Sequence, residues 1–267
     1  MLIRSLIIVA LTVGQLAAAE PAWKNQLSAA VPGPFMPAPS GIIDLQVSWK
    51  GMVSAGQLRM QWAPPDVNKP GFYVVRSTAE STGLASMLFP YQNRFWAELD
   101  PASLKPRLFH ATETDDKETK TTDVHYFNDH VEYQESTKAL GNGRVSEKNL
   151  EFKFAPVFDI FSAMLMVRSQ KLDNGDQIIL VVQPFETAHL VHVTVKGHEV
   201  HNDRKTIRLS VSMDRISRKT LNLKPYKKLN GDATLWLSDD ADRIPVELRA
   251  EVFIGDVRAT LTNYKKS

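Results

Sequence analysis

Histidine is the residue type whose placement most invites chemistry in this chain. Four of its seven histidines, His189, His192, His198 and His201, share one short stretch. An imidazole titrates near neutral pH and ligates zinc or copper, so such a cluster can be a metal site or an acid–base centre. His198-Glu199-Val200-His201 is one residue short of the His-Glu-x-x-His zinc motif. On a strand that spacing fails as well, because residues i and i+3 face opposite sides. If Lys196-Gly197 forms a two-residue turn, however, His192 stands opposite His201 with Glu199 on the same face, close enough to share a metal. The competing readings are a polar cross-strand pair without metal, or Gly197 as a bulge in one long strand, since Lys-Gly is not a favoured turn dipeptide. The expectation is no metal and no other cofactor, with His192 and His201 as the metal candidates should there be one.

Other chemistries have less to stand on. Asp239, Asp240 and Asp242 hint at calcium, but the fixed alternation of oxygen ligands and the distal Glu of a calcium loop are missing. A solvated hairpin loop neutralised by Arg243 is the expectation. There is no Cys nucleophile and no Gly-x-Ser-x-Gly elbow. A dispersed Ser/His/Asp triad leaves no local signature, and nothing here points to one. Gly141-Asn142-Gly143 opens like a phosphate loop, but Ser146 stands where a third glycine belongs, so a flexible turn is expected.

The remaining candidate set is apolar. Met87, Leu88 and Phe89 lie in one expected helix, and Phe158, Phe161, Met164, Leu165 and Met166 in or beside another. Thioether and aromatic side chains at the mouth of a curved sheet can hold a lipid-like molecule. Side chains at the same spacing also make an ordinary core.

These residues must be positioned by a largely β framework. Of 267 residues, 43% are hydrophobic and 23% charged, and none is Cys, which excludes a disordered chain, a polytopic membrane protein and a disulfide miniprotein. A net charge of +2 argues against a nucleic-acid binder and gives no bulk steering toward acidic partners. From residue 42 the period is two: Ile43, Leu45, Val47 and Trp49 face one way, and Asp44, Gln46 and Ser48 the other. Lys50-Gly51 turns the chain and Met52–Trp62 resumes, with Gly56 as a bulge. Further strands are expected at Phe72–Thr78, Arg94–Leu99, His125–Gln134, Leu190–Lys196, Thr206–Met213, Ala233–Leu237, Val246–Ile254 and Val257–Asn263. Gln177–Gln183 is so continuously apolar that a central strand is expected there. Gly255-Asp256 fits the centre of a hairpin turn, and Pro245 the start of a strand. Thr112–Asp123 reads as a solvated loop or edge strand. Helices are expected at Ala79–Phe89 and, N-capped by Asp159, at Asp159–Arg168. The second is apolar nearly all round, so it must plug or cap the sheet. The fold class is therefore mostly β: a curved antiparallel sheet forming an open or closed barrel-like domain with one or two short capping helices.

Met1–Ala19 has the plan of a secretory signal peptide, with Arg4, the apolar run Leu6–Val13 and small residues at Ala17–Ala19. Residues 20–41 form a Pro-rich leader expected to run over the surface, and 42–264 a single domain. Without Cys the chain cannot be a diacylglyceryl lipoprotein, so a periplasmic or secreted protein with no transmembrane span in its mature chain is expected.

Six spaced stretches look like one family. Val47 to Gly56 (VSWKGMVSAG) resembles its first strand pair, and Asp100 to Pro106 its Asp-x-x-(Ser/Thr)-Leu-x-Pro segment. Asp159 to Arg168 resembles its Asp-x-x-Ser-Ala-x-x-x-x-Arg helix, and Val195 to Glu199 its Val-x-Gly-x-Glu corner. Trp236 to Pro245 resembles its Trp-Leu-Ser-x-Asp-x-x-Arg-x-Pro hairpin, and Gly255 to Leu261 its last turn and strand. The family is the DUF3108 domain, a group of exported bacterial proteins of undefined function. The resemblance spans about 42–264 and implies an exported β-rich domain, with no catalytic residues to carry over. More loosely, the plan is similar to the open barrels of periplasmic lipoprotein carriers, an analogy of fold that does not specify function. The expected role is a non-enzymatic envelope protein binding an apolar or lipid-like ligand. The alternative is an envelope scaffold with a filled core that binds another protein, and a hydrolase comes third.

Cleavage after Ala19 is expected to give a mature amino terminus at Glu20. Amino-terminal sequencing of the protein recovered from its native host checks this; a mature pool that begins at Met1 rejects soluble export.

Overall fold

The computed structural model describes residues 20–36, 40–63, 71–252 and 255–266. The signal-peptide reading of Met1–Ala19, the leader residues Pro37 and Pro39, and the last two residues of the expected Val246–Ile254 strand lie outside these ranges. A 3-10 turn, Ala22–Gln26, precedes the strands. In chain order these are β1 (Gly41–Trp49), β2 (Val53–Ala63), β3 (Tyr73–Ser81), β4 (Gln92–Leu99), β5 (Pro106–Thr114), β6 (Glu118–Tyr126), β7 (Val131–Ala139), β8 (Val145–Phe152), β9 (Gln177–Val182), β10 (His189–His201), β11 (Arg204–Ile216), β12 (Leu223–Pro225), β13 (Ala233–Ser238), β14 (Pro245–Val252) and β15 (Gly255–Lys266). Helix α1 (Gly83–Leu88) lies between β3 and β4, and α2 (Ile160–Ser169) between β8 and β9. Among the described residues no helix is long and apolar enough to cross a membrane.

The strands form one antiparallel sheet in the order β8-β7-β6-β5-β4-β3-β2-β1-β15-β14-β13-β11-β10-β9, with β12 paired to β11. The first and last strands of the sequence meet at its middle, and each half then steps outward by short connections. The sheet curls but does not close, because β8 and β9 are not paired with each other.

Local sequence explains much of the detail. In β1 the side chains of Ile43 and Leu45 are buried while Asp44 and Gln46 on the opposite face are half-exposed. Lys50 and Gly51 both take positive φ, 53° and 70°, the conformation of a primed hairpin turn that follows the twist of the strands. Val47 pairs with Gly56 and Ser48 with Ser54, so Ala55 is the extra residue of a bulge. A Cβ on Gly56 would lie 2.6 Å from the Glu80 carbonyl oxygen, which explains the glycine there. Pro245 does begin β14, where no ladder donor is required of it.

Several expectations give way. His125–Gln134 is not one strand but parts of β6 and β7, separated by a tight turn in which Phe127 N donates to His130 O at 2.9 Å. Thr112–Asp123 is neither a loop nor an edge: it is the β5–β6 hairpin, and β6 lies inside the sheet between β5 and β7. The threonines supply strand propensity without apolar periodicity. Gly255 pairs with Val252 and Asp256 with Glu251, so both are already in the ladder rather than at the centre of the turn. Ala79–Ser81 belong to β3, which leaves α1 only six residues long.

The β9 segment is buried along Ile178–Val182, as its composition implies, but it is terminal in the sheet and not central. Its outer edge is satisfied from elsewhere. Ser28 N donates to Ile179 O at 3.0 Å, Ile179 N donates to Ser28 Oγ at 2.9 Å, and Phe158 N donates to Val181 O at 2.8 Å. The leader is thus no surface linker. Trp23 is 5% exposed, packs on Phe154 with ring centroids 5.2 Å apart, and donates from Nε1 to Leu221 O at 2.9 Å. Residues 20–36 fill the seam between the β8 and β9 ends of the sheet.

Helix α2 packs along the interior with most of its surface buried, its partly free face being Ile160, 51% exposed, with Ala163 and Met164 half-buried beside it. Asp159 caps it, Oδ1 accepting from Phe161 N at 2.7 Å and Ser162 N at 3.2 Å. Phe161, Leu165, Met166 and Val167 are buried, and Phe161 lies 6.1 Å from the Phe109 ring on β5. At its other end two buried arginines cross. Arg168 donates to the Asp242 carbonyl, while Arg243 donates to the carbonyls of Arg168 (3.2 Å), Gln170 and Lys171 (2.7 Å). The Arg243 guanidinium also lies 3.5 Å over the Phe35 ring of the leader.

Truncating Trp23 removes the largest leader side chain in the seam. Trp23→Ala is expected to cost about 3–5 kcal/mol in denaturant melts; a loss within about 0.5 kcal/mol, the usual size for a surface position, would return the leader to a linker.

Candidate functional site

The histidine turn does not form. β10 is continuous from His189 to His201, with Lys196 as the extra residue of a bulge at Gly197. His192 pairs with Ser212 and His201 with Arg204, so the two imidazoles lie far apart along one strand rather than opposite each other. Gly197 has a φ of 152°, suited to a bulge. Among the described residues no three His, Asp or Glu side chains come together as a metal site.

His201 belongs instead to a polar cluster on the outer face. It stacks on Trp236 with centroids 4.1 Å apart, and its Nε2 is 3.0 Å from Glu247 Oε2. Glu247 also accepts from Asn202 Nδ2 at 3.0 Å and Arg249 Nη2 at 2.7 Å, and Trp236 Nε1 donates to Glu199 Oε1 at 2.7 Å. Burial works against ionisation of Glu247, but the bonds from Asn202, Arg249 and His201 outweigh it and hold its pKa below the usual carboxylate value. A carboxylate so fully engaged serves the sheet better than it serves as a base.

The acidic loop closes on itself. Asp240 Oδ1 accepts from Ser238 Oγ at 2.8 Å, Asp242 N at 2.9 Å and Arg243 N at 3.0 Å, an arrangement that shapes the β13–β14 turn. Arg243, expected to neutralise that loop in solvent, is instead buried and caps α2. Gly141-Asn142-Gly143 is the turn between β7 and β8, closed by Ala139 N to Arg144 O at 2.9 Å.

A relay of acid, base and hydroxyl does occur, on the outer face of β5 and β6. Asp123 Oδ1 is 2.7 Å from His110 Nδ1, and His110 Nε2 is 3.3 Å from Thr112 Oγ1. All three sit in ladder positions, where backbone N–H groups are committed to neighbouring strands. An oxyanion hole needs free donors beside the nucleophile, and a continuous ladder offers none.

The apolar set divides into two. Phe158, Phe161, Leu165 and Met166 are buried in the core, with Met164 half-buried against it. Met87 and Phe89 are 79% and 75% exposed, on α1 beside β2 and β3. The two helices therefore do not frame one mouth. A concavity of about 620 Å3 is lined chiefly by polar side chains such as Asp44, Gln57, Arg59, Glu80 and Arg94, from the face opposite the core. A smaller one of about 260 Å3 takes in Arg215, Arg218 and Lys224. That basic stretch escaped the sequence reading because whole-chain charge averages it away; a local count over 215–231 finds six basic residues and no acidic one.

Within the core one ionisable group stands out. Asp159 is fully buried, its Oδ1 occupied by the helix cap, while its Oδ2 has no hydrogen-bond partner among the described residues. Burial pushes its pKa up from 3.8 to about 6, against the opposing hydrogen bonds from Ser162 and Phe161.

A family model described as "Protein of unknown function (DUF3108)" matches residues 44–262. No curated protein matches the chain. Among solved structures, the "Crystal Structure of Beta-barrel-like Protein of Domain of Unknown Function DUF1849 from Brucella abortus" is similar with a TM-score of 0.52 and 11% identity, covering 87% of this chain and 99% of that one. At that identity the likeness is one of fold.

Asp159 makes stability depend on pH. The unfolded carboxyl ionises near 3.8 and the folded one near 6, so stability falls as pH rises between those values and is flat beyond them. Two pKa units correspond to about 3 kcal/mol. Asp159→Asn keeps the cap acceptor and removes the ionisation, so the wild type is expected to lose stability relative to the variant across that window. Denaturant melts of both proteins at its two ends check this; a difference that is independent of pH contradicts it.

Proposed function

The chain belongs to the DUF3108 family, and from that premise we propose that it is an exported, non-catalytic envelope domain that binds its partner through its outer surface, its interior being filled by its own helix. One observation carries this reading. The space that a barrel-like carrier would keep for a ligand is occupied by α2, whose Leu165 and Met166 are each 1% exposed. A carrier needs an apolar cavity large enough for its cargo. Here the two concavities described above are polar, and the apolar candidates are divided between a packed core and an exposed helix. Of the two expectations drawn from the sequence, a lipid-like carrier and a scaffold with a filled core, the packing favours the second. Export rests on the signal-peptide plan of Met1–Ala19, and the relay at His110 has no free backbone donors beside it.

Leu165→Ala is expected to cost about 2–5 kcal/mol, the sum of lost transfer energy and an unfilled cavity. Wild-type protein titrated with a fluorescent fatty-acid probe is expected to give no saturable binding. A stoichiometric probe site, together with a stability loss below about 2 kcal/mol in the variant, would restore the carrier reading.

A further inference from the structure

The antiparallel register places one set of connections at the same end of the sheet. The β1–β2 turn, helix α1, the paired ends of β14 and β15 at Val252 and Gly255, and the segment linking β11 through β12 to β13 all lie there. They form a continuous rim. Leu229 bridges to Val252 and Asn230 N donates to Glu251 O at 2.8 Å; Lys50 N donates to Asp256 O at 2.7 Å; Thr82 N donates to Ala55 O at 3.1 Å.

The rim carries two kinds of unpartnered group. In residues 215–231, Arg215, Arg218, Lys219, Lys224, Lys227 and Lys228 are all exposed, and none makes an ion pair among the described residues. Of the nearby acids, Glu186 is engaged with Lys148 at 2.5 Å, Asp232 with Ser210 Oγ at 2.6 Å and Asp256 with Arg258 at 2.5 Å, which leaves Asp214 and Glu251 beside six basic side chains. His189, whose ring meets Tyr226 edge-on, is pushed down by burial and by the charges of Arg215 and Lys228. Further along the same rim Trp49, Met52, Leu84, Met87, Leu88 and Phe89 stand in solvent, Met52 at 80% exposure.

We propose that this rim docks on the surface of an anionic lipid bilayer, the basic segment on the headgroups and the tips of the β1–β2 turn and α1 in the interfacial layer. The proposal rests on the reading that the domain works through its outer surface, and goes beyond it by naming the partner. Charge complementarity favours the occupant, since each basic side chain near an anionic leaflet adds attraction. The layout favours a bilayer over a protein. A protein interface gathers its apolar residues into a desolvated centre with a polar rim. Here they project into solvent from two neighbouring tips, with the charges in a block to one side of them and not in a ring around them, as in proteins that lie on membranes. Trp49, with Lys50 Nζ 5.4 Å from its ring, has the amphipathic character suited to the headgroup level.

Cosedimentation of the full chain with phosphatidylcholine vesicles, with and without phosphatidylglycerol, tests the proposal. Wild type is expected to bind the anionic vesicles, weakly at high salt, and to leave neutral ones unbound. Combined Lys224→Glu, Lys227→Glu and Lys228→Glu is expected to weaken binding by about a hundredfold or more, and Met87→Ser with Phe89→Ser by about tenfold. Both sets replace exposed side chains, so thermal melts should match wild type, and any contribution from the amino-terminal segment is common to all three proteins. Binding that ignores vesicle charge or survives the lysine reversals overturns the proposal. So does failure to bind, and so does a dimer in gel filtration that Phe89→Ser abolishes while no protein binds vesicles, which would assign the tips to a second copy. Failure here leaves the packed interior, probed by the fatty-acid titration, as it stands.

Discussion

A curled sheet that stops short of closure has an open flank, and the rest of this structure follows from covering it. An unpaired edge leaves backbone donors and acceptors that must find partners if they are buried. β9 meets this demand by borrowing from outside the sheet, through Ser28 on the leader and Phe158 ahead of α2. β8 meets it differently, as a strand whose residues are largely exposed, with Glu147, Lys148 and Glu151 discouraging edge-to-edge pairing. The segment that joins β8 to β9 has to cross the gap between the two ends of the sheet, and α2 is that crossing. Its all-round apolar surface is a consequence of where the topology sends it.

The crossing is locked at one end by the two arginines. The last carbonyls of a helix lack intrahelical donors, and burying them unpaired is costly. Arg243 supplies donors from the β13–β14 turn, while Arg168 returns one to that same turn. Phe35 stacked on Arg243 brings the leader into the same contact. Two of the stretches that look most like a family signature, the Asp159–Arg168 helix and the Trp236–Pro245 hairpin, therefore meet in space as parts of one structural joint. Their polar residues shape turns and cap a helix, which accounts for them without any chemistry on a substrate.

What could be read from the sequence had a local cause. Alternation in β1, a bulge next to Gly56 (at Ala55, one residue from the expected position), the strand start at Pro245 and the cap at Asp159 each depend on a few neighbouring residues. What was missed depended on distant ones. Thr112–Asp123 looks solvated because threonine and charge fill both of its faces, and only β7 beside it makes it interior. The Pro-rich leader carries no period, yet Trp23 finds a socket formed by residues some 130 to 200 positions away. The histidine arrangement turned on whether Lys196-Gly197 reverses the chain, and the long β11 partner holds it straight. Met87 and Phe89 share the composition of the α2 residues, but composition does not report whether a helix is covered or left in solvent.

The basic segment differs from all these features in being unexplained by the fold. Between Ser217 and Asn230 the chain touches the sheet through the short β12, a bridge at Leu229 and the bonds of Asn230 to β14, and touches the leader through the carbonyl of Leu221, and none of those contacts uses a lysine or arginine side chain. Concentrating like charges there costs self-repulsion, and exposing Met87, Leu88 and Phe89 forgoes burial that a six-residue helix could have found. Features that the folded chain neither needs nor compensates are the ones most directly attributable to something it meets. With the interior committed to α2 and the seam to the leader, the rim is where this fold has material to spare for a partner.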